Sequence, residues 1–350
     1  MSKRKSARHT QVQEQQSTTI KEKHTEEKEE EVEVFSVANI NDLISLGKSY
    51  NSRKRKRANI CLSTLYDLVE PLERLQKMIG MEKIKTNILD QIIYFLQNLH
   101  GENLDMLHTV IQGPPGTGKT ELAKIMSQIY LKMGILHSEN FFIARRSDLI
   151  GKYLGETAIK TQRVINMCRG GVLVIDEAYS LGNPEQRDSF SKECIDTLNQ
   201  NLTENKNNFM CIIVGYKEAL EECFFSYNAG LSRRFNFRYT IDEYTPANLR
   251  LILIKLIKEQ DWKIQEPETE SLPLVFFEKH HSEFTNFGGD METLLFNIKI
   301  SHSKRVFMLK HDVKKIIIKE DLLNGHKKFL DNKESGKKNP IPAYLQNMYI

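Results

Sequence analysis

Apolar residues recur with helical spacing in the part of the chain that follows residue 61. Five leucines lie three or four residues apart, which gives a helix one apolar face; they are Leu62, Leu65, Leu68, Leu72 and Leu75. A second run with this period covers 84–99. Beyond it, short and almost wholly apolar segments alternate with further helical runs. These predicted strands are 106–112, 141–144, 172–175, 209–214 and 235–239.

This alternation predicts the class of fold. Strands that are apolar on both faces are typical of a parallel sheet covered by helices on both sides. Beyond Thr245 and Pro246, a favourable N-cap and first-turn pair, the pattern is helical up to about residue 332. We therefore expect an α/β domain over 61–243, followed by a small all-α lid domain over 244–332.

The two ends of the chain are polar. Residues 1–34 hold few apolar side chains, and such a segment cannot offset the entropy lost on ordering. The sequence predicts a disordered charged tail and linker over 1–60 and a C-terminal tail over 333–350. The linker contains five consecutive cations, Arg53 to Arg57. They fit a solvated linker, a nuclear-targeting signal or a nucleic-acid contact, and the sequence leaves these open.

Charge and composition narrow the class of protein. The formal net charge is +4, and residues 1–60 hold 13 Lys and Arg against 9 Asp and Glu, so the rest of the chain is formally neutral. The absence of net charge over residues 61–350 argues against a large basic groove that binds nucleic acid. The five cysteines form no C-x-x-C pair, which fits small core residues in a reducing compartment. No apolar run reaches the roughly 20 residues of a membrane span, so we expect a cytoplasmic location, or a nuclear one if Arg53 to Arg57 act as a signal.

One motif lies between a predicted strand and a predicted helix and fits G-x-x-x-x-G-K-[ST]. It comprises Gly113, Pro114, Pro115, Gly116, Thr117, Gly118, Lys119 and Thr120. Glycines allow successive backbone N–H groups to point at phosphate oxygens, and the helix N-terminus adds partial positive charge. Lys119 then reaches the β- and γ-phosphates, and the Thr120 hydroxyl binds Mg²⁺. The predicted fold is therefore a P-loop NTPase with ATP and Mg²⁺ as cofactors.

A second motif places two carboxylates at the end of an apolar strand. Asp176 and Glu177 follow Val172 to Ile175, 56 residues or so beyond the phosphate-binding loop. Buried carboxylates need a cation or hydrogen-bond donors. Asp176 fits a Mg²⁺ contact and Glu177 fits the residue that polarises the attacking water.

Two further segments each allow two interpretations. Arg233 and Arg234 precede a strand and form either a surface ion pair or an arginine finger that stabilises the transferring phosphoryl group. Lys152, Tyr153 and Leu154 lie between glycines, on a loop between a strand and a helix. The tyrosine either packs on the core or is exposed and grips a polymer.

Together these motifs resemble the AAA+ ATPases, and in particular the CbbX-like family, which includes sporulation stage V protein K-like proteins. The resemblance runs over roughly residues 70–330, in line with a single AAA+ module. Four segments carry it: 148–157, 170–181, 214–217 and 228–235.

The resemblance implies further roles for individual residues. Ile79 and Gly80 match the segment that contacts adenine, and Tyr153 matches the pore aromatic that pulls on a substrate. Arg234 matches the finger, with Arg233 as its rival. Tyr216 stands where many relatives place a polar sensor residue.

The segment 287–292 departs from the pattern, because it lacks the sensor arginine that relatives often carry. Lys299 or another cation of the lid is a possible substitute, and weak coupling between lid and γ-phosphate is the alternative. The resemblance also implies a ring, with six subunits expected, that threads an unknown protein substrate in a chaperone-like way. A nucleic-acid-handling ATPase and a non-catalytic ATP-gated scaffold are the other two hypotheses.

Overall fold

Five parallel strands form the central sheet in the computed structural model, which describes residues 37–49, 60–99, 106–153, 155–185, 187–206, 208–309 and 314–337. The strands are β1 (Thr109–Gln112), β2 (Phe141–Ala144), β3 (Val172–Ile175), β4 (Met210–Gly215) and β5 (Phe237–Thr240). Their order across the sheet is β2-β3-β4-β1-β5. All neighbouring pairs are parallel, so the carboxyl ends of the strands share one edge.

Nine helices of the α/β domain cover this sheet within the described residues. They are α1 (Ile40–Lys48), α2 (Leu62–Asp67), α3 (Val69–Gln76), α4 (Glu82–Leu96), α5 (Lys119–Lys132), α6 (Arg146–Leu149), α7 (Glu156–Met167), α8 (Ser189–Glu204) and α9 (Lys217–Cys223). Along β4, Ile212 and Val214 enter one apolar cluster, with α1 to α5. Cys211 and Ile213 enter a second cluster on the other face, with α7 and α8. The predicted sheet with both faces covered is confirmed.

Helix α1 lies in a segment that the sequence assigned to the disordered tail. The Asn39 side chain accepts hydrogen bonds from two amides at the start of this helix, and Ile40, Leu43 and Ile44 are buried against the core. Burying these three side chains offsets the ordering entropy that a wholly polar segment cannot recover. Residues 40–48 therefore belong to the folded α/β domain and not to a disordered tail. The remaining parts of the predicted tail and linker, 1–36 and 50–59, lie outside the described residues and include Arg53 to Arg57.

The lid domain follows β5. Its helices are α10 (Pro246–Glu259), α11 (Glu268–Ser271), α12 (Leu274–His280), α13 (Phe287–Arg305) and α14 (Lys319–Lys337). Thr245 caps α10 by accepting a hydrogen bond from the Asn248 amide, with Pro246 in the first turn, as the sequence predicts. These helices pack around their own apolar cluster.

The lid also contains two short strands in addition to its helices. Strands β6 (Lys263–Ile264) and β7 (Ile316–Ile317) pair in parallel. Two-residue strands carry no detectable apolar period, and their partners are 53 residues apart along the chain. Helix α14 continues five residues past the predicted end at 332, and 338–350 lie outside the described residues. In the part of the chain that the structure covers, no helix is both long and apolar enough to span a bilayer.

Candidate functional site

The phosphate-binding loop leaves the carboxyl end of β1 and enters α5. Three of its residues have positive φ: Gly113 at 156°, Gly116 at 67° and Gly118 at 82°. A Cβ atom at Gly113 would lie 2.7 Å from the carbonyl oxygen of Ile241. Glycine is required here because other residues are strained at these φ values and have no room. The amino end of α5 therefore faces the cleft, with its backbone N–H groups available to an anion.

Lys119, the first residue of α5, lies over the loop. Its Nζ donates to the carbonyl oxygens of Gly113, at 3.0 Å, and Pro114, at 2.6 Å. Burial lowers the pKa of Lys119 from its ordinary 10.5 to about 8, against the opposing effect of the Asp176 and Glu177 charges. A triphosphate in this cleft offers stronger acceptors than the two carbonyls and favours the charged lysine.

Thr120 and Asp176 meet across the cleft. The Thr120 hydroxyl donates to both carboxylate oxygens of Asp176, at 3.2 Å each. Asp176 directly follows β3, and Thr120 begins the first turn of α5, so adjacent secondary-structure elements hold the pair. A hydroxyl and a carboxylate are oxygen donors of the kind that Mg²⁺ prefers. The donor set therefore fits the magnesium ion that the sequence predicts, bound together with phosphate oxygens.

Glu177 sits beside two tyrosines at the mouth of the cleft. Its backbone is left-handed, with φ at 54°, and its side chain is exposed. The rings of Tyr179 and Tyr216 stack at 5.1 Å, with 20° between their planes. Lys119 Nζ lies 4.7 Å from the centre of the Tyr216 ring. Burial, and secondarily the Glu177 charge, raise the pKa of Tyr179 to about 12.

The sequence motifs alone do not mark Tyr179 as a site residue. It lies in a short 3-10 helix, Ala178–Leu181, that begins directly after Glu177. The sequence feature that could have indicated Tyr179 is its position, since it is an aromatic residue two positions after Glu177. Because its ring packs on Tyr216, we count Tyr179 among the residues that shape the cleft.

These groups line one cleft of about 240 Å³. The structure thus brings together the loop, the two carboxylates and the expected sensor position. The residues that line it are Pro115, Gly116, Thr117, Gly118, Lys119, Thr120, Glu121, Asp176, Glu177, Tyr179, Val214, Gly215 and Tyr216.

The lid domain touches the phosphate-binding loop through backbone atoms. The Gly288 amide donates to the Gly116 carbonyl oxygen at 3.0 Å. A Cβ at Gly116 would lie 1.9 Å from the carbonyl oxygen of Asn286. The Tyr244 hydroxyl donates to the Thr117 carbonyl oxygen at 2.9 Å. No sequence motif marks these contacts, because they join parts of the chain that are more than 120 residues apart.

Lys299 does not take the place of the missing sensor arginine. Its Nζ donates to Gln260 and lies 5.2 Å from the centre of the Trp262 ring. Eleven residues of α13 separate it from Gly288, about 16 Å along the helix axis. At the amino end of this helix the buried Met291 stands in the segment where relatives often carry the arginine.

Ile79 and Gly80 lie at the junction of the two domains, beside the loop. Gly80 has φ at 70°, and a Cβ there would lie 3.1 Å from Asn248 Nδ2 and 3.3 Å from Tyr244 Cε1. Ile79 borders a groove with Leu251 and Ile254 of α10. An apolar surface between a loop and a lid suits the flat face of a base.

Arg233 and Arg234 do not join the cleft of their own chain. They lie in a short 3-10 helix just before β5, whose first residue pairs with Thr109 at the start of β1. This is the amino edge of the sheet, whereas the phosphate-binding loop follows the carboxyl end of β1. The four residues of β1 alone separate the two edges by about 13 Å. Arg234 donates to Thr203 Oγ1, at 2.6 Å, and to the Gly230 carbonyl oxygen, at 2.7 Å, while Arg233 is exposed.

The predicted pore loop is anchored to the first turn of α7. Glu156 Oε2 accepts hydrogen bonds from the amides of Lys152, at 3.2 Å, and Tyr153, at 3.3 Å. The Gly151 amide donates to Thr157 Oγ1 at 3.0 Å. Tyr153 is 70% exposed, so it does not pack on the core. Leu154 lies outside the described residues.

Comparison with known proteins shows which families and relatives this chain resembles. The model of the "ATPase family associated with various cellular activities (AAA)" matches residues 109–242. A putative CfxQ-like protein of Acanthamoeba polyphaga mimivirus is 45% identical over 310 residues, 88% of this chain and 76% of that protein. Stage V sporulation protein K of Bacillus subtilis is 33% identical over 205 residues, 57% of this chain and 63% of that protein.

The fold has a counterpart among solved structures. The AAA domain of FIGL-1, in complex with ADP, superposes with a TM-score of 0.54 at 18% identity, covering 72% of this chain and 83% of that one. This likeness bears on the fold alone, whereas the identity to the CfxQ-like protein extends over most of both sequences. The chain therefore belongs to the CbbX-like (CfxQ-like) family of AAA+ ATPases and is an ATPase.

Proposed function

We propose that this ATPase works as a ring and uses Mg²⁺-dependent ATP hydrolysis to remodel a protein substrate, which it grips with Tyr153. The observation that carries the remodelling role is the 70% exposure of Tyr153 on a loop whose backbone is fixed by Glu156. An apolar ring held out on a fixed base can press on a passing chain without reading its sequence.

At the cleft, each side chain has one task in hydrolysis. Lys119 and the backbone amides of the glycine-rich loop bind the phosphates and offset their charge. Thr120 and Asp176 hold Mg²⁺, which withdraws charge from the phosphate oxygens when it is bound. Glu177 accepts a proton from the attacking water and orients it toward the γ-phosphate.

The positions of the two arginines support a ring. Arg233 and Arg234 lie at the amino edge of the sheet and cannot reach the phosphates of their own chain. If either arginine acts as a finger, the cleft that it completes belongs to a neighbouring subunit. A closed ring, with six subunits as the expected number, gives every cleft such a neighbour.

Substitution of the pore tyrosine tests the remodelling role. In the full chain, we expect an unfolded polypeptide such as carboxymethylated lactalbumin to stimulate ATP turnover. Tyr153→Ala should abolish the stimulation and leave basal turnover unchanged, and Tyr153→Phe should retain it. Ile159→Ala is the matched control, because Ile159 is a 65% exposed apolar residue on the adjoining helix α7. Stimulation that survives in Tyr153→Ala rejects the threading role.

The alternative is a nucleic-acid-handling ATPase, which only the basic run from Arg53 to Arg57 favours. Its test should replace these five cations with Gln rather than delete 1–60, because the deletion would remove the core helix α1. Salt-sensitive binding of DNA or RNA that stimulates turnover, and is lost on replacement, would favour this alternative.

A further inference from the structure

Three metal-ligating side chains converge in the lid domain, away from the nucleotide cleft. His280 Nδ1 lies 3.1 Å from each carboxylate oxygen of Glu283. His326 Nε2 lies 2.7 Å from Glu283 Oε2. One ligand atom from each residue falls within a span of 4.8 Å, and the two imidazole rings are 4.3 Å apart. We propose that His280, Glu283 and His326 form a binding site for a divalent transition-metal ion of the zinc class.

The donor set and its spacing fit such an ion. Zinc accepts imidazole nitrogen and carboxylate oxygen at about 2.0–2.2 Å in tetrahedral geometry, which separates its ligand atoms by roughly 3.3 Å. The observed separations of 3.1 and 2.7 Å from Glu283 need to grow by about 0.2 and 0.6 Å. The ligand nitrogens of His280 and His326 lie within 4.8 Å of each other and need to approach to the same spacing. Two histidines and one glutamate leave the fourth position to water.

The surroundings of the cluster also favour metal binding. Phe276 lies 4.9 Å from the His280 ring and 5.0 Å from the His326 ring, and Phe284 lies 5.8 Å from the latter. These aromatic rings restrict the access of water and lower the local dielectric.

The three ligands come from separate elements. His280 ends α12, Glu283 lies in a short 3-10 helix, and His326 lies on α14. A bound ion would therefore fasten α14 to the segment that leads to Asn286 and Gly288. Lys333 of α14 reinforces the same junction by donating to the Glu283 carbonyl oxygen at 2.6 Å.

This junction is close in sequence to the contact between lid and phosphate-binding loop. His281, next to His280, bonds through Nε2 to the Tyr244 carbonyl oxygen at 2.7 Å, and the Tyr244 hydroxyl donates to the loop. The ion would thus fasten the lid near this contact, and it would be distinct from the magnesium ion expected at Thr120 and Asp176. Its binding requires neither nucleotide nor the proposed remodelling role.

Direct binding to the full-length chain tests the proposal. The protein is treated with chelator, kept free of nucleotide, and titrated with Zn²⁺ by calorimetry and with Co²⁺ by visible absorption. We expect one equivalent to bind, and the Co²⁺ spectrum to report a site of low coordination number. His280→Gln and His326→Gln should weaken binding by more than the roughly 10–100-fold that loss of an outer-shell partner costs. His137 is an exposed histidine that precedes β2. The His137→Gln protein is the control and should bind Zn²⁺ as tightly as the unchanged protein does.

Thermal unfolding supplies an independent readout. Zn²⁺ should raise the Tm of the unchanged chain and of His137→Gln, since a ligand of the folded state stabilises it. It should not raise the Tm of His326→Gln. If His326→Gln does not fold, Glu283→Gln replaces it, because this change keeps the shape of the side chain and removes its charge.

Two results would overturn the proposal. One is the absence of binding at one equivalent, which would leave the cluster as a hydrogen-bonded network with both imidazoles donating to Glu283. The other is binding of equal strength in the folded ligand variants, which would place the ion elsewhere in the chain.

Discussion

The Gly288 amide of the lid domain donates to the Gly116 carbonyl oxygen of the phosphate-binding loop, at 3.0 Å and across 172 residues of sequence. The lid thus contacts the loop through backbone atoms. The contact lies in the segment 287–292, where relatives often carry an arginine side chain. We therefore expect movement of the lid to change the shape of the loop through this backbone contact.

A pair of neighbouring glycines tests this contact. A Cβ at Gly288 would lie 2.7 Å from the Gly116 carbonyl oxygen, whereas one at Gly289 meets its nearest atom at 4.0 Å. Gly288→Ala should displace the lid, at a cost of about 1–3 kcal/mol, and so change the affinity for ATP at least fivefold. Gly289→Ala should leave the affinity unchanged. Equal affinities for the two variants, measured with a fluorescent ATP analogue, would show that the contact has no energetic role.

Substitution of Glu177 should separate binding from hydrolysis. Glu177→Gln keeps the size of the side chain but removes the group that accepts a proton from water, so ATP should still bind while turnover falls by at least ~10². Binding is measured by calorimetry and turnover by phosphate release. Glu218→Gln, at an exposed glutamate on the nearby helix α9, is the control. A Glu177→Gln chain that hydrolyses ATP at the normal rate would remove Glu177 from this role.

ATP binding should be linked to protonation of Lys119. The pKa of this lysine in the free protein is about 8, and a bound triphosphate favours its charged form. Above pH 8 the free protein has lost this proton and must recover it on binding, so affinity should fall as the pH rises from 8 to 10. Near pH 6.5 the proton is already present and affinity should not depend on pH through this group.

Calorimetry in buffers of different ionisation enthalpy measures this linkage. Proton uptake at pH 8.5 but not at pH 6.5 is the expected result. Equal uptake at both values would mean that Lys119 does not change its charge on binding.

The cleft was predictable because its residues are fixed by short motifs. Gly113 to Thr120 are contiguous, and Asp176 and Glu177 end a strand whose apolar pattern is plain. In a parallel sheet the carboxyl ends of β1 and β3 share an edge, so the two motifs had to lie near each other. The local sequence of the two motifs was therefore almost sufficient to predict where they lie in the fold.

Other features depend on partners far along the chain. Helix α1 is ordered because Ile40 and Leu43 meet a core built from later residues. The Gly116–Gly288 contact and the His326–Glu283 pair likewise join distant segments. Periodicity and motifs describe neighbours in sequence, so these two contacts and the packing of α1 on the core could not be derived from them.

Mixing two inactive chains tests the central claim, that each cleft is completed by a neighbour's arginine. Lys119→Ala should lack nucleotide binding, and the double substitution Arg233→Ala with Arg234→Ala should bind ATP without hydrolysing it. In a mixed ring, the Lys119→Ala subunit still offers its arginines to the intact cleft beside it. We predict that the mixture hydrolyses ATP although neither variant does so alone. A mixture that stays inactive while mixed rings form, or an arginine variant with normal turnover by itself, would contradict the account.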